Sequence, residues 1–143
     1  MYLVGFPLLV VPFVVYNIFE FLIPGSAPGV FWSHTLLHMQ LASGADWSLT
    51  AGELLIAISI LILFVELLKS TRLSTRTIMD HLLSTLLFII IIVEFILVKQ
   101  AATGTFFLLM VVSFVDVVGG FSITIRTAQR DITIDGANTI AHN

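Results

Sequence analysis

The sequence predicts an all-α integral membrane protein, a four-helix transmembrane bundle with an interfacial helix in its first external loop. Three observations carry that expectation. Only 10% of the residues are charged and 58% are hydrophobic, whereas a soluble domain carries about 25% charged residues. The mean hydropathy is +1.09, so lipid rather than water has to cover much of the surface. The apolar residues also gather into four runs of membrane-crossing length, separated by turn and helix-capping residues. At 143 residues the chain forms a single membrane domain.

A helix needs about 20 mostly apolar residues to cross roughly 30 Å of hydrocarbon. Spans are expected at 2–23, 51–69, 78–99 and 105–126, with an external loop at 24–50 and a cytoplasmic tail at 127–143. The first run follows Met1 with no Lys or Arg ahead of it, so it reads as a span rather than a signal peptide. Pro24-Gly25 ends it, and Pro28-Gly29 reinforces the break. The stretch 30–41 (VFWSHTLLHMQL) is too short to span. It reads as a helix lying in the headgroup region, anchored by Phe31, Trp32 and Trp47. Thr50-x-x-Glu53 has the capping-box pattern that starts the second span, and Thr77-x-x-Asp80 is a close variant for the third. The connection 101–104 is so short that spans three and four have to be antiparallel neighbours. The tail alternates apolar and polar through Ile132 and Ile134, which suits a short strand or a segment packed on a neighbour.

Lys69, Arg72 and Arg76 fall between spans two and three, and Arg126 and Arg130 follow span four, so five of the six basic residues share one side. Lys99 is the exception. The positive-inside rule then places both termini in the cytoplasm, in a membrane of the bacterial inner (plasma) type. Spans two and three also echo each other, ending FVELLK and IVEFILVK in opposite directions, as inverted repeats do.

Several function classes are excluded. Without cysteine there is no disulfide, thiolate metal site or Cys nucleophile. The basic residues form no patch suited to nucleic acid. No Gly-rich phosphate loop, catalytic Ser/His/Asp context or arginine-laden voltage sensor is present.

The informative residues are the polar groups inside the spans. A carboxylate near a helix centre costs about 2.5–3.5 kcal/mol on insertion scales, so each needs a partner or a purpose. Asp116 falls near the middle of span four with no Lys or Arg at its depth. At roughly 100° per residue it shares an arc with Ser113, Gly120 and Thr124. Small and polar residues along one stripe suit close helix packing in lipid, with a protonated Asp116 bonded across the contact, or a proton or cation relay. Gly52, Ser59 and Glu66 form a sparser stripe on span two, and Lys69 is one turn from Glu66. Asp80 reads as a cap and His81 as interfacial. Glu66, Asp116 and Glu94 sit at cytoplasmic, middle and external depths, a possible ladder for ions or protons that also involves Ser113. At the external end Glu20, Glu53 and Glu94 reach similar depth below His34 and His38, which a helix would place one turn apart. That set is a candidate site for a divalent metal.

Three functions are expected, in this order. The first is a non-enzymatic membrane protein acting through helix association, as a homo-oligomer or as an accessory subunit beside other membrane proteins. The second is an oligomeric ion or proton pathway built on the intramembrane carboxylates. The third is a metal-binding membrane enzyme using the external His/Glu cluster.

Overall fold

The computed structural model describes residues 5–23, 27–72 and 74–141. Its helices are α1 (Val10–Leu22), α2 (Ala51–Lys69), α3 (Thr75–Leu97) and α4 (Gly104–Ala141), and two strands, β1 (Thr35–Gln40) and β2 (Asp46–Thr50), precede α2. The protein is mostly helical, and α2, α3 and α4 are each long and apolar enough to cross a membrane.

The first expected span departs from its prediction. The helical part is 13 residues long, roughly 20 Å against about 30 Å of hydrocarbon. Pro7 restricts Phe6 to extended geometry, so helix does not propagate toward the N-terminus. The chain instead enters through a turn, with Val10 N–H donating to the Pro7 carbonyl at 3.2 Å and Val11 N–H to that of Leu8 at 3.0 Å. Pro12 is tolerated because it lies in the first turn, where no helical acceptor exists for its missing N–H. Residues 1–4 and Pro24-Gly25, part of the same expectation, lie outside the described residues.

The other helices begin where capping chemistry allows. Thr50 and Glu53 complete the expected capping box on α2: each side chain accepts the other residue's N–H, at 3.2 and 2.8 Å. On α3 the cap is Ser74, whose hydroxyl accepts the Thr77 N–H at 3.2 Å, so the helix starts three residues before the expected 78 and Asp80 is free of capping. Thr103 caps α4 by accepting the Phe106 N–H at 3.1 Å.

Two further expectations are corrected. The tail is neither strand nor loop: α4 runs unbroken for 38 residues to Ala141, roughly 57 Å and well past any hydrocarbon core. Its threonines bond back one turn, Thr127 to the Ile123 carbonyl, Thr133 to Gln129 and Thr139 to Asp135, each at 2.9 Å. Nor is 30–41 an interfacial helix: a two-stranded hairpin stands beside the helices. Phe31–Ser33 make one 3-10 turn, then β1 and β2 form an antiparallel hairpin. Period-two alternation in Leu37–Leu41 and again in 46–50 outweighs the helical spacing. The Ala42-Ser43-Gly44 loop closes the hairpin, with Gly44 N–H on the Leu41 carbonyl at 2.9 Å and Gly44 at φ +85°, a left-handed position that suits glycine.

α4 is the central helix: α2 and α3 both pack on it, and α1 touches α2 and α4. At the end near Trp32, aromatic rings fill the space. Tyr16 stacks on Trp32 at 5.0 Å and meets Phe106 edge-on at 4.9 Å, and Phe19 stacks on Phe31 at 4.8 Å. Trp32 is therefore a core residue, 5% exposed, and not a surface anchor. Tyr16 OH ties this end together by donating to the Gln100 carbonyl at 3.0 Å and pairing with Thr103 Oγ1 at 2.6 Å.

Candidate functional site: a polar half-core

Each long helix presents one buried stripe, and all three stripes change character at the same level. Toward the Trp32 end they are apolar: Leu55 on α2, Leu87 and Ile91 on α3, Phe106, Leu109 and Val112 on α4. Toward the Lys69 end they are polar: Ser59, Glu66 and Ser70 from α2 and its cap, Thr77, Asp80, His81 and Ser84 on α3, Ser113 and Asp116 on α4, all buried. Helical spacing builds each stripe, since positions three, four and seven apart share a face.

The polar half holds the ionisable groups. Lys69 Nζ lies 2.9 Å from Asp80 Oδ2 and 3.2 Å from Glu66 Oε1, joining α2 to α3. The segment before α1 closes over this pair: Leu8 N–H donates to Glu66 Oε1, and Lys69 Nζ donates to the Phe6 carbonyl at 3.0 Å. His81 Nε2 pairs with Thr124 Oγ1 at 2.7 Å, its ring stacked on Phe121 at 5.4 Å. Thr124 also donates to the Ser70 carbonyl at 3.4 Å. Gly120 makes this fit possible, because a Cβ there would stand 2.6 Å from His81 Cε1 and 3.3 Å from Ser70 Oγ. Asp116, 4% exposed, shares a hydrogen bond with Ser84 and lies within electrostatic range of Glu66, Asp80 and Lys69.

Two consequences follow from the charges. Three buried carboxylates, Glu66, Asp80 and Asp116, face one lysine, and among the described residues the only ion pairs are those of Lys69. Asp80 Oδ1, fully enclosed, has no hydrogen-bond partner among the described residues. An uncompensated charge in such a place costs several kcal/mol, so the cluster is short of positive charge. Lys69, with its side chain 13% exposed, is the least buried member of the ionic cluster.

The expected site residues sort clearly. Glu66, Asp116, Ser113, Ser59 and Gly120 come together in the polar half, and Gly52 lies at the opposite end, where its missing Cβ lets Thr105 of α4 and the Trp32 carbonyl approach. Glu94 stands apart. Asn17 Nδ2 donates to its Oε2 at 3.4 Å, its Oε1 has no partner among the described residues, and Leu87 and Ile91 separate it from Ser84 along α3. An apolar layer therefore lies between Glu94 and the polar half. The external His/Glu set does not assemble: Glu20 accepts the Gly29 N–H at 2.9 Å, Glu53 is engaged in the capping box, and His34 and His38 belong to a turn and a strand rather than one helix face. Among the described residues no three His, Asp or Glu side chains converge as a metal-binding group.

Sequence reasoning missed the α3 stripe. Asp80 is an ion-pair partner and His81, 8% exposed, a core residue, not a cap and an interfacial group. The signal was present, because Thr77, Asp80, His81 and Ser84 follow the i, i+3, i+4, i+7 pattern. The chain matches no known family model, and comparison with curated proteins and with solved structures returns no match.

Proposed function

We propose that this chain is a proton-binding element of the membrane, taking up and releasing protons at the Asp116–Glu66–Asp80 cluster from the side on which Lys69 lies. One observation carries the reading: three buried carboxylates share one lysine. The missing positive charge has to come from a proton or a cation. A proton needs a single carboxylate oxygen, whereas a metal ion needs several converging donors, and among the described residues no such group converges. The apolar layer of Leu87, Ile91, Leu109 and Val112 favours one-sided access over an open conduit. The charge distribution supports a four-crossing bundle, with the segment before α1 completing the first crossing and five of six basic residues on the cytoplasmic side.

Infrared difference spectra recorded between acid and alkaline pH in lipid test this. A protonated-carboxyl C=O band is expected that titrates and is lost or shifted in Asp116→Asn. Spectra without any such band over the stable pH range would dispose of the proposal.

The α4 extension favours a second reading, an accessory or self-associating role. Ile132, Ile134 and Ile140 are 56–79% exposed on an extension whose residues 129–141 are all exposed, and an isolated helix of this length is marginal in water. Ending the chain after Arg130 should then reduce the number of chains in the species seen by native mass spectrometry. An unchanged stoichiometry would remove that role from the tail.

A further inference from the structure

We infer that the β1–β2 hairpin is a membrane-surface element, its face of Leu37, Met39, Trp47 and Leu49 seated in the headgroup–acyl boundary of the lipid that surrounds the helices. This inference is independent of the proton-binding reading.

The register creates the face. Cross-strand partners point to the same side of a sheet. Leu37 pairs with Leu49 and Met39 with Trp47, while His38 pairs with Ser48 and Gln40 with Asp46. The hairpin is thus sharply two-sided, one face wholly apolar and the other wholly polar. Yet the apolar face is uncovered within the chain: Leu37 is 46%, Met39 44% and Trp47 41% exposed. A lone two-stranded hairpin is marginal in water, so a second apolar phase has to cover that face.

The position identifies the phase. β2 ends at Thr50, and Thr50 is itself the N-cap of α2, so no linker separates the hairpin from the helix that enters the membrane. Leu36, the bulged residue at the hairpin base, lines a groove with Phe19 of α1 and Leu54 and Ile58 of α2. Leu54 and Ile58 are exposed on an apolar span, as lipid-facing residues are. The hairpin is therefore continuous with the lipid-facing flank. Its apolar face carries no charge, and Trp47 at its centre is the residue type that favours the headgroup level. The polar face, with Asp46 and His38, suits the water side.

The chain has two tryptophans, Trp32 and Trp47, and Trp32 lies buried against Tyr16. The full chain in lipid nanodiscs allows a direct test. The Trp47 signal is the Trp32→Phe spectrum or, should that variant fold poorly, the wild-type spectrum minus that of Trp47→Phe. Phospholipid brominated close to the glycerol end of its chains is expected to extinguish much of this emission, while aqueous acrylamide leaves it largely intact. Quenching by acrylamide but not by brominated lipid would place the hairpin in water and overturn the inference. Resistance to both would mean that protein covers the face, a second copy or another chain, and would overturn it equally.

Discussion

Gly120→Ala is expected to destabilise the protein while Gly136→Ala, in the same helix, stabilises it. Alanine is better than glycine in a helix interior by about 0.8–1 kcal/mol, because glycine loses more backbone freedom. At position 136 nothing lies within 4 Å of the added Cβ, so the whole gain is available, reduced only by fraying near the helix end. At position 120 the Cβ would be 2.6 Å from His81 Cε1 and 2.9 Å from Nδ1. The ring has to withdraw by roughly 1 Å to reach ordinary contact. It is held by Thr124 at 2.7 Å and stacked on Phe121, so withdrawal strains the packing at about 1–3 kcal/mol. It also strands a buried donor and acceptor at about 1–3 kcal/mol more if the bond breaks. Against the propensity gain, a net loss of about 1–5 kcal/mol is expected with that bond broken. Unfolding by SDS in mixed micelles measures both variants on one scale. A Gly120→Ala protein as stable as wild type would refute the close approach of His81 to α4. The cause can be isolated, since His81→Ala should relieve most of the penalty in the Gly120→Ala background and little elsewhere.

Two further substitutions test the network and the helix start. Lys69→Met leaves Glu66 and Asp80 without a counter-charge and should cost about 3–5 kcal/mol; adding Glu66→Gln and Asp80→Asn should recover much of it, and a failure to recover in the same SDS titration would show that Lys69 acts by something other than charge. Thr50→Ala removes the hydroxyl that accepts the Glu53 N–H and should cost about 0.5–2 kcal/mol, with an indistinguishable unfolding midpoint counting against the capping box.

The long apolar helices were legible because hydropathy over some twenty residues is a strong signal, and because the capping pair Thr50 and Glu53 is local. The first span was harder to read: its composition is apolar throughout, but Pro7 decides where helix starts, and composition is blind to that. The hairpin was readable in principle. Leu37-His38-Met39-Gln40-Leu41 and Asp46-Trp47-Ser48-Leu49-Thr50 alternate strictly around a Ser-Gly turn, yet two histidines four apart also fit a helix, and short mixed segments are ambiguous by period alone. For the site, Asp116 and its stripe followed from depth and spacing. What one chain read linearly does not show is which stripes meet. The pairing of Lys69 with Asp80 joins two helices adjacent in space, and the break between Ser84 and Glu94 depends on side chains from α3 and α4 closing the same layer.

That break bears on how the molecule holds together. Of the buried hydrophobic core residues, all but Leu9 belong to the apolar half or to the aromatic cluster beyond it. Leu9 lies between Pro7 and Pro12, where the entering chain crosses the ionic cluster. The apolar half therefore supplies most of the packing that fixes α2 and α3 against α4, while the polar half adds, to the partly buried Ile62, Leu63 and Leu67, an ion pair, a few hydroxyls and two backbone contacts from Phe6 and Leu8. Regions with few buried apolar contacts open at lower free energy than the core they adjoin. A proton entering at Lys69 would weaken the very contacts that close this half, without disturbing the packing above it. On the proposed reading, the unequal division of the interior lets a chain of this size change its charge at one end and keep its fold at the other.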